Sequence, residues 1–141
     1  MNGTRLICEA LAGNMQLNVL NLGANKIMSQ GAYSVADLLL NSNIQELTIS
    51  SNQIGTVGIN AILHAVSIKN RSLKFLDLQH NNISEQIDLE QMIIGNPTLK
   101  YLYLSEVYQW SQPAIESLRR VLLKNKALRI VSLGACYSEI V

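Results

Sequence analysis

The chain has 141 residues, 48% of them hydrophobic and 15% charged, with a formal net charge of +1. That is long enough for one domain with its own core and too neutral to point to nucleic acid as a partner. No apolar run reaches the ~18 residues that cross a bilayer, and the opening Met1-Asn-Gly-Thr-Arg-Leu-Ile-Cys-Glu-Ala has an acid and no apolar centre, so neither a membrane span nor a signal peptide is expected.

In chain order, residues 4–13 start helical, with Leu6, Ala10 and Leu11 on one stripe. Leu17-Asn-Val-Leu-Asn-Leu-Gly-Ala-Asn-Lys-Ile27 follows as a short strand and a loop, and then a helix from about Ala32 to Leu40 that buries Val35, Ala36 and Leu39. The same order returns in Ile44-Gln-Glu-Leu-Thr-Ile-Ser-Ser-Asn-Gln-Ile54, with a helix from about Ile59 to Ile68 burying Ile62, Leu63 and Val66. Gly31 and Gly58 hold matching places, which predicts tight turns before the two helices. The third copy is Leu73-Lys-Phe-Leu-Asp-Leu-Gln-His-Asn-Asn-Ile83, after which Ser84 is expected to cap a helix burying Leu89, Met92 and Ile93. A fainter copy carries Leu99, Leu102 and Leu104, has Val107 at the ninth place and continues into Tyr108-Gln-Trp-Ser-Gln-Pro113. Pro113 suits the first turn of a helix to about Leu123, with Ile115, Leu118, Val121 and Leu122 as candidate core. A last strand, Arg129 to Leu133, carries the end of the pattern Leu128, Val131, Leu133 and leads into a tail from Gly134 to Val141.

The copies start at 17, 44, 73, 99 and 128, giving periods of 27, 29, 26 and 29 residues. Aliphatic residues stand at the first, fourth, sixth and eleventh places, and Asn25, Asn52 and Asn81 at the ninth. Alternation within each strand sends Leu76 and Leu78 to one face and Phe75, Asp77 and Gln79 to the other. The chain then leaves the strand through a loop whose buried backbone needs partners, and an amide side chain both donates and accepts. The three asparagines are therefore expected to form a structural ladder. A second column, Asn14, Asn41, Asn70, Asn96 and Asn125, stands three places before each start. Asn tolerates the left-handed backbone that ends helices, so this column is expected to mark where each helix stops.

This pattern resembles the leucine-rich repeat family, and its period with a full helix per repeat is similar to the ribonuclease-inhibitor-like subfamily. The resemblance implies an α/β fold: a right-handed β-α superhelix forming a segment of a curved horseshoe, with a parallel sheet on the concave side and helices on the convex side. One leucine-rich repeat domain over 1–141 is expected, with a partial repeat at 1–16, repeats starting at 17, 44, 73 and 99, and a terminal strand and tail over 128–141. Family-style capping motifs are missing at both ends. Three explanations stay open: a fragment of a longer array, self-association through the uncapped ends, or minimal caps formed by Thr4 to Gly13 and Gly134 to Val141.

Cys8 and Cys136 fall at opposite ends of such a stack, too far apart for a disulfide, so two buried free thiols and a reducing, cytoplasmic setting are expected. Glycosylation sequons at Asn2, Asn70 and Asn82 are about as many as this composition yields by chance. Arg119, Arg120, Lys124, Lys126 and Arg129 form an acid-free basic segment, whose simplest reading is a solvated helix face.

No phosphate loop, His-Glu-x-x-His, Cys-x-x-Cys or Gly-x-Ser-x-Gly motif is present, and the expectation is a non-enzymatic chain with no catalytic residues, no metal and no cofactor. Across the strands the third place runs Val19, Glu46, Phe75, Tyr101, Ile130, and the fifth runs Asn21, Thr48, Asp77, Tyr103, Ser132. Phe75, Tyr101, Tyr103, Tyr108 and Trp110, five of the seven aromatics, thus gather in one region. Exposed aromatics dominate interfaces, so the candidate site is a protein-binding patch of Phe75, Tyr101, Tyr103 and Trp110 with Glu46, Asp77, His80 and Glu106 around it. The competing reading folds Tyr108 and Trp110 under the irregular loop, in the space left by the missing ladder Asn. A protein partner of unknown identity is expected, with no nucleic acid and no membrane. The alternatives are a GTPase-regulating scaffold resembling the Ran GTPase-activating protein of the same subfamily, or a structural segment of a larger receptor or assembly protein.

Overall fold

The computed structural model describes residues 3–84, 87–105 and 111–134. Ten elements alternate: α1 (Gly3–Leu11), β1 (Val19–Asn21), α2 (Met28–Leu40), β2 (Glu46–Thr48), α3 (Gly55–Ile68), β3 (Phe75–Asp77), α4 (Leu89–Gly95), β4 (Tyr101–Tyr103), α5 (Gln112–Lys124) and β5 (Ile130–Ser132). The strands form one parallel sheet in the order β1-β2-β3-β4-β5. Leu20, Leu47, Leu76, Leu102 and Val131 pair in one row, so the leucine starts align in space as they do in sequence. This is an α/β leucine-rich repeat solenoid. Its core is the layer between sheet and helices, where Leu47, Leu76, Leu78, Leu102 and Leu104 meet Val35, Ile62, Leu63, Val66 and Met92. Each such side chain contributes about 1.5–3 kcal/mol by leaving water.

Two asparagine systems hold the stack together. On the strand-to-helix side, Asn52 Oδ1 accepts from the backbone N–H of Asn25 (2.8 Å) and Ile27 (3.3 Å), and its Nδ2 donates to the carbonyls of Leu22, Ile49 and Ser50. Asn81 repeats this one turn later, accepting from Asn52 and Ile54 and donating to Ile49, Leu78 and Gln79. Residues on either side of the ladder take the left-handed backbone, with φ near +55°: Ala24, Lys26, Ser51, Gln53, His80 and Asn82. The loop can hold that shape because the central amide ties the carbonyls that it turns inward.

The second column does a different job from the one its sequence suggests. None of its members has a positive φ; Asn41, Asn96 and Asn125 sit at −133°, −112° and −71°. Instead, Asn70, Asn96 and Asn125 each accept at Oδ1 from the N–H groups two and three residues on, which turns the chain into the next strand. Their Nδ2 groups reach back to the preceding repeat, at Leu39, Val66 and Ile93 carbonyls. Asn14 makes the forward pair alone, and Asn41 donates within its own helix, to Asp37. The column therefore starts strands and stitches repeats, an acceptor-and-donor role that needs an amide and no special backbone.

Other expectations are corrected by helix packing. Gly31 and Gly58 lie inside α2 and α3, not before them, and α2 already begins at Met28. A Cβ on Gly58 would come within 2.9 Å of Ala32 Cβ and 3.1 Å of Ser29 Cα, so close approach of neighbouring helices is what requires glycine there. In α1 the buried residue is Cys8, whereas Leu6 is 42% exposed and Ala10 is also exposed. The helix meets α2 through the i, i+4, i+7 face of Thr4, Cys8 and Leu11, because Thr4 faces Gly31. Ser84 is exposed and is not the cap of α4; its N–H donates to Thr56 Oγ1, and α4 is a short helix preceded by Asp88, whose N–H is taken by Asn60 Oδ1. In α5, Ser111 Oγ caps Ala114 N–H beside Pro113, and Ala114 rather than Ile115 joins Leu118 and Val121 as buried.

Cys8 is a free, buried thiol, and Cys136 lies outside the described residues. Burial, and then the Asp37 carboxylate, push the Cys8 thiol from 9.0 up to about 11. The folded chain thus keeps a proton that the unfolded chain loses above pH 9. Stability from this group is full below that pH and is lost as pH rises through about 11. Melting temperatures measured from pH 8 upward are expected to fall more steeply for the native chain than for Cys8→Ala.

Candidate sheet-face interaction site

The site is built by strand parity. The fourth and sixth places are buried in β2, β3 and β4, and Leu20, Val131 and Leu133 pack partly buried against the same core, so the third and fifth face away from it. The pairing puts Val19, Glu46, Phe75, Tyr101 and Ile130 side by side, and Asn21, Thr48, Asp77, Tyr103 and Ser132 in the parallel row. Phe75, Asp77, Tyr101 and Tyr103 are half-buried, and Glu46 and His80 are exposed. Phe75 and Tyr103 meet diagonally across β3 and β4, ring centroids 5.4 Å apart at 40°. A tilted aromatic pair of this kind adds about 0.5–1.5 kcal/mol beyond its buried area, which keeps both rings oriented before any partner arrives.

Several sequence-derived members are brought together and others are not. Phe75, Tyr101, Tyr103, Asp77 and Glu46 share the two rows, with Glu46 directly beside Phe75. Asp77 is tied into the fold: its Oδ1 accepts from Gln79 N–H at 3.0 Å, as Asn21 Oδ1 does from Gly23 N–H at 2.9 Å. The carboxylate therefore starts the loop as well as bordering the aromatics. His80 stands in the loop at φ +56°, its N–H donating to Ser105 Oγ. In the two earlier turns the matching N–H groups, of Ala24 and Ser51, go to a backbone carbonyl. Trp110, Glu106 and Tyr108 lie outside the described residues.

Ile130 extends the row and was not singled out from sequence. It pairs with Tyr101 and is 44% exposed, so the apolar strip runs from Phe75 through Tyr101 to Ile130. Its signal was present in the third-place column, where an aliphatic residue faces away from the core by parity. Among the described residues no helix is long and apolar enough to cross a membrane, and no group of three or more His, Cys, Asp or Glu could hold a metal ion.

Comparison with known proteins agrees with this architecture. The family described as Leucine Rich repeat matches residues 40–63 and 69–85, the second and third copies of the motif. RAN GTPase-activating protein 2 of Arabidopsis thaliana is 32% identical over 97 residues, which are 66% of this chain and 18% of that protein. The chain thus spans less than a fifth of that relative's length. Among solved structures, one described as Leiomodin-1 Actin-Binding Site 2 (ABS2) superposes with a TM-score of 0.69 at 22% identity, over 89% of this chain and 73% of that one, a likeness of fold. With its repeats aligned in one sheet, its leucines in one core and its motif matched twice, the chain is a leucine-rich repeat solenoid.

Proposed function

We propose that this chain is a non-enzymatic protein-interaction module that takes a protein partner on the exposed face of its sheet, centred on Phe75, Tyr101 and Tyr103. The observation that supports it is the aromatic row: three rings on two adjacent strands, oriented outward by a parity that the core itself enforces. Such rings present large contact area with few rotors to immobilise. Asp77, His80 and Glu46 supply a polar rim, and Glu106 and Trp110 stand in the segment that follows β4. The site belongs to a rigid scaffold, and repeat solenoids use such surfaces for recognition.

Tyr101→Ala and Tyr103→Ala are each expected to weaken partner binding by about 2 kcal/mol, roughly 30-fold, while the folding free energy moves by about 1 kcal/mol or less. Affinity isolation with the native chain and with the Phe75/Tyr101/Tyr103 triple alanine, each checked by thermal melting, tests partner and face together. A partner retained by a fully folded triple variant removes the proposed face.

A second reading is regulation of a GTPase, supported by the 32% identity over 97 residues to a protein named for GTPase activation. Here the scaffold would orient groups belonging largely to its partner. Acceleration of GTP hydrolysis by a Ran-type GTPase supports this reading, and a flat rate at saturating chain removes it.

A further inference from the structure

Where the helices hand over to the strands, α4, α5 and the segments leading into β4 and β5 border an open groove of ≈ 750 Å³. Five cationic side chains line it: Lys100, Arg120, Lys124, Lys126 and Arg129. Glu90 is the one carboxylate among the lining residues, and it already accepts a hydrogen bond from Ser117 Oγ. The whole chain carries a net charge of only +1, so the groove is a segregation of charge and not a consequence of composition. Among the described residues the ion pairs are Arg5 with Glu9 and Arg119 with Glu116, and neither takes up a groove cation.

The repeat geometry explains how these charges converge. The second place of the motif reads Asn18, Gln45, Lys74, Lys100, Arg129, turning basic in the later repeats. Lys100 N–H donates to Lys74 O at 2.9 Å and Arg129 N–H to Lys100 O at 2.8 Å, so these backbones are direct neighbours. Arg120 and Lys124 are four residues apart on α5 and share one helix face. Like charges held this close repel one another, at a cost that an anionic occupant removes. Lys124 also stands in the last turn of α5, where a cation complements the helix dipole. That effect fades beyond one turn and does not account for Lys100 or Arg129.

The surface between the charges is apolar. Ile93, Pro97, Val121 and Ala127 line the groove, and Ile94 beside them is 64% exposed. No aromatic ring is among its lining residues, so it lacks the stacking platform on which single-stranded nucleic acids rely. An aliphatic floor edged by cations matches a polypeptide in which Asp or Glu alternate with aliphatic residues. We propose that this groove is a second docking surface of the chain, one that takes an acidic, aliphatic-containing segment of a partner protein. It shares no residue with the aromatic row and stands whether or not that row binds.

The probe is a fluorescein-labelled peptide of about twelve residues, Glu and Asp with two central leucines, titrated by anisotropy into the intact chain. Micromolar binding is expected at low salt, weakening about tenfold by physiological ionic strength and about fivefold when the leucines become serines. Lys100→Glu/Lys124→Glu/Arg129→Glu together are expected to weaken it at least ~30-fold, and the Phe75/Tyr101/Tyr103 triple alanine to leave it unchanged. If the charge-reversed chain loses its native circular dichroism, Lys100→Gln/Lys124→Gln/Arg129→Gln replaces it, with about a tenfold loss expected. The proposal is overturned by absence of peptide binding, by equal binding to the folded charge variants, or by tighter binding of an oligothymidylate of the same length.

Discussion

Asn81→Leu is expected to cost about 3–6 kcal/mol of folding free energy, a large share of the ~5–15 kcal/mol by which folded domains are ordinarily stable. Leucine keeps the branched outline of asparagine with two methyl groups in place of the amide, so its greater bulk adds to the loss and the unpaired polar groups supply most of it. Asn81 is fully buried and accepts from two backbone N–H groups while donating to three carbonyls. Leucine takes this partner from the Asn52 and Ile54 N–H groups and the Leu78 carbonyl, while the Ile49 and Gln79 carbonyls keep bonds from Asn52 Nδ2 and Ser51 N–H; the cost is about 1–3 kcal/mol for each group that finds no water. The same bonds hold His80 and Asn82 in a left-handed backbone that non-glycine residues avoid, so removing them also releases the loop. Asn25→Leu provides the comparison. That side chain is exposed and, among the described residues, makes two donor bonds, to Leu22 and Gly23, so a loss of about 1 kcal/mol is expected. Urea unfolding followed by circular dichroism checks the order. Equal small losses at both positions would mean that the ladder contributes no more inside the stack than at its edge.

How much of this was legible beforehand follows from the range of each signal. Strand register is set by a strict alternation that one-residue slips would invert, which is why Leu20, Leu47, Leu76 and Leu102 pair as their spacing implies. The same alternation makes Phe75, Tyr101 and Tyr103 neighbours, and puts Ile130 beside them. Helix boundaries and packing faces depend instead on what lies across the interface. Periodicity on α1 admits Leu6 as readily as Cys8; the approach of Thr4 to Gly31 on α2 selects Cys8. The second asparagine column was visible as a phase marker, yet left-handed caps and strand-starting hydrogen bonds make the same demand on residue type. Only the observed φ values and the contacts of Asn70 and Asn96 with preceding repeats separate the two. Ser84 carries a cap-like sequence, but α4 begins only at Leu89, with Asp88 rather than Ser84 at the cap position.

Gly58→Ala supplies the second large effect, and its sign is the test. In an exposed helix interior, alanine in place of glycine stabilises by about 1 kcal/mol through backbone entropy. At Gly58 the added methyl would stand 2.5 Å from Ile54 Cγ2, 2.9 Å from Ala32 Cβ and 3.1 Å from Ser29 Cα. The Ile54 side chain can change rotamer, but Ala32 Cβ and Ser29 Cα move only if α2 itself moves. Because α2 and α3 each carry part of the same core, separating them also opens space around Val35, Ile59 and Ile62. Overpacking of this kind costs about 1–3 kcal/mol after the gain in helix propensity is counted, and Gly58→Val costs more. Gly31 holds the matching place one repeat earlier, and there the contacts across the helix interface are looser, 3.3 and 3.4 Å to the Thr4 side chain. Gly31→Ala is accordingly expected to change stability by less than about 1 kcal/mol. Thermal melts of the two alanine variants therefore diverge, with Gly58→Ala melting well below the native chain and Gly31→Ala close to it. A rise in melting temperature for Gly58→Ala would show that the helices can part without cost, and that glycine is not what sets their spacing.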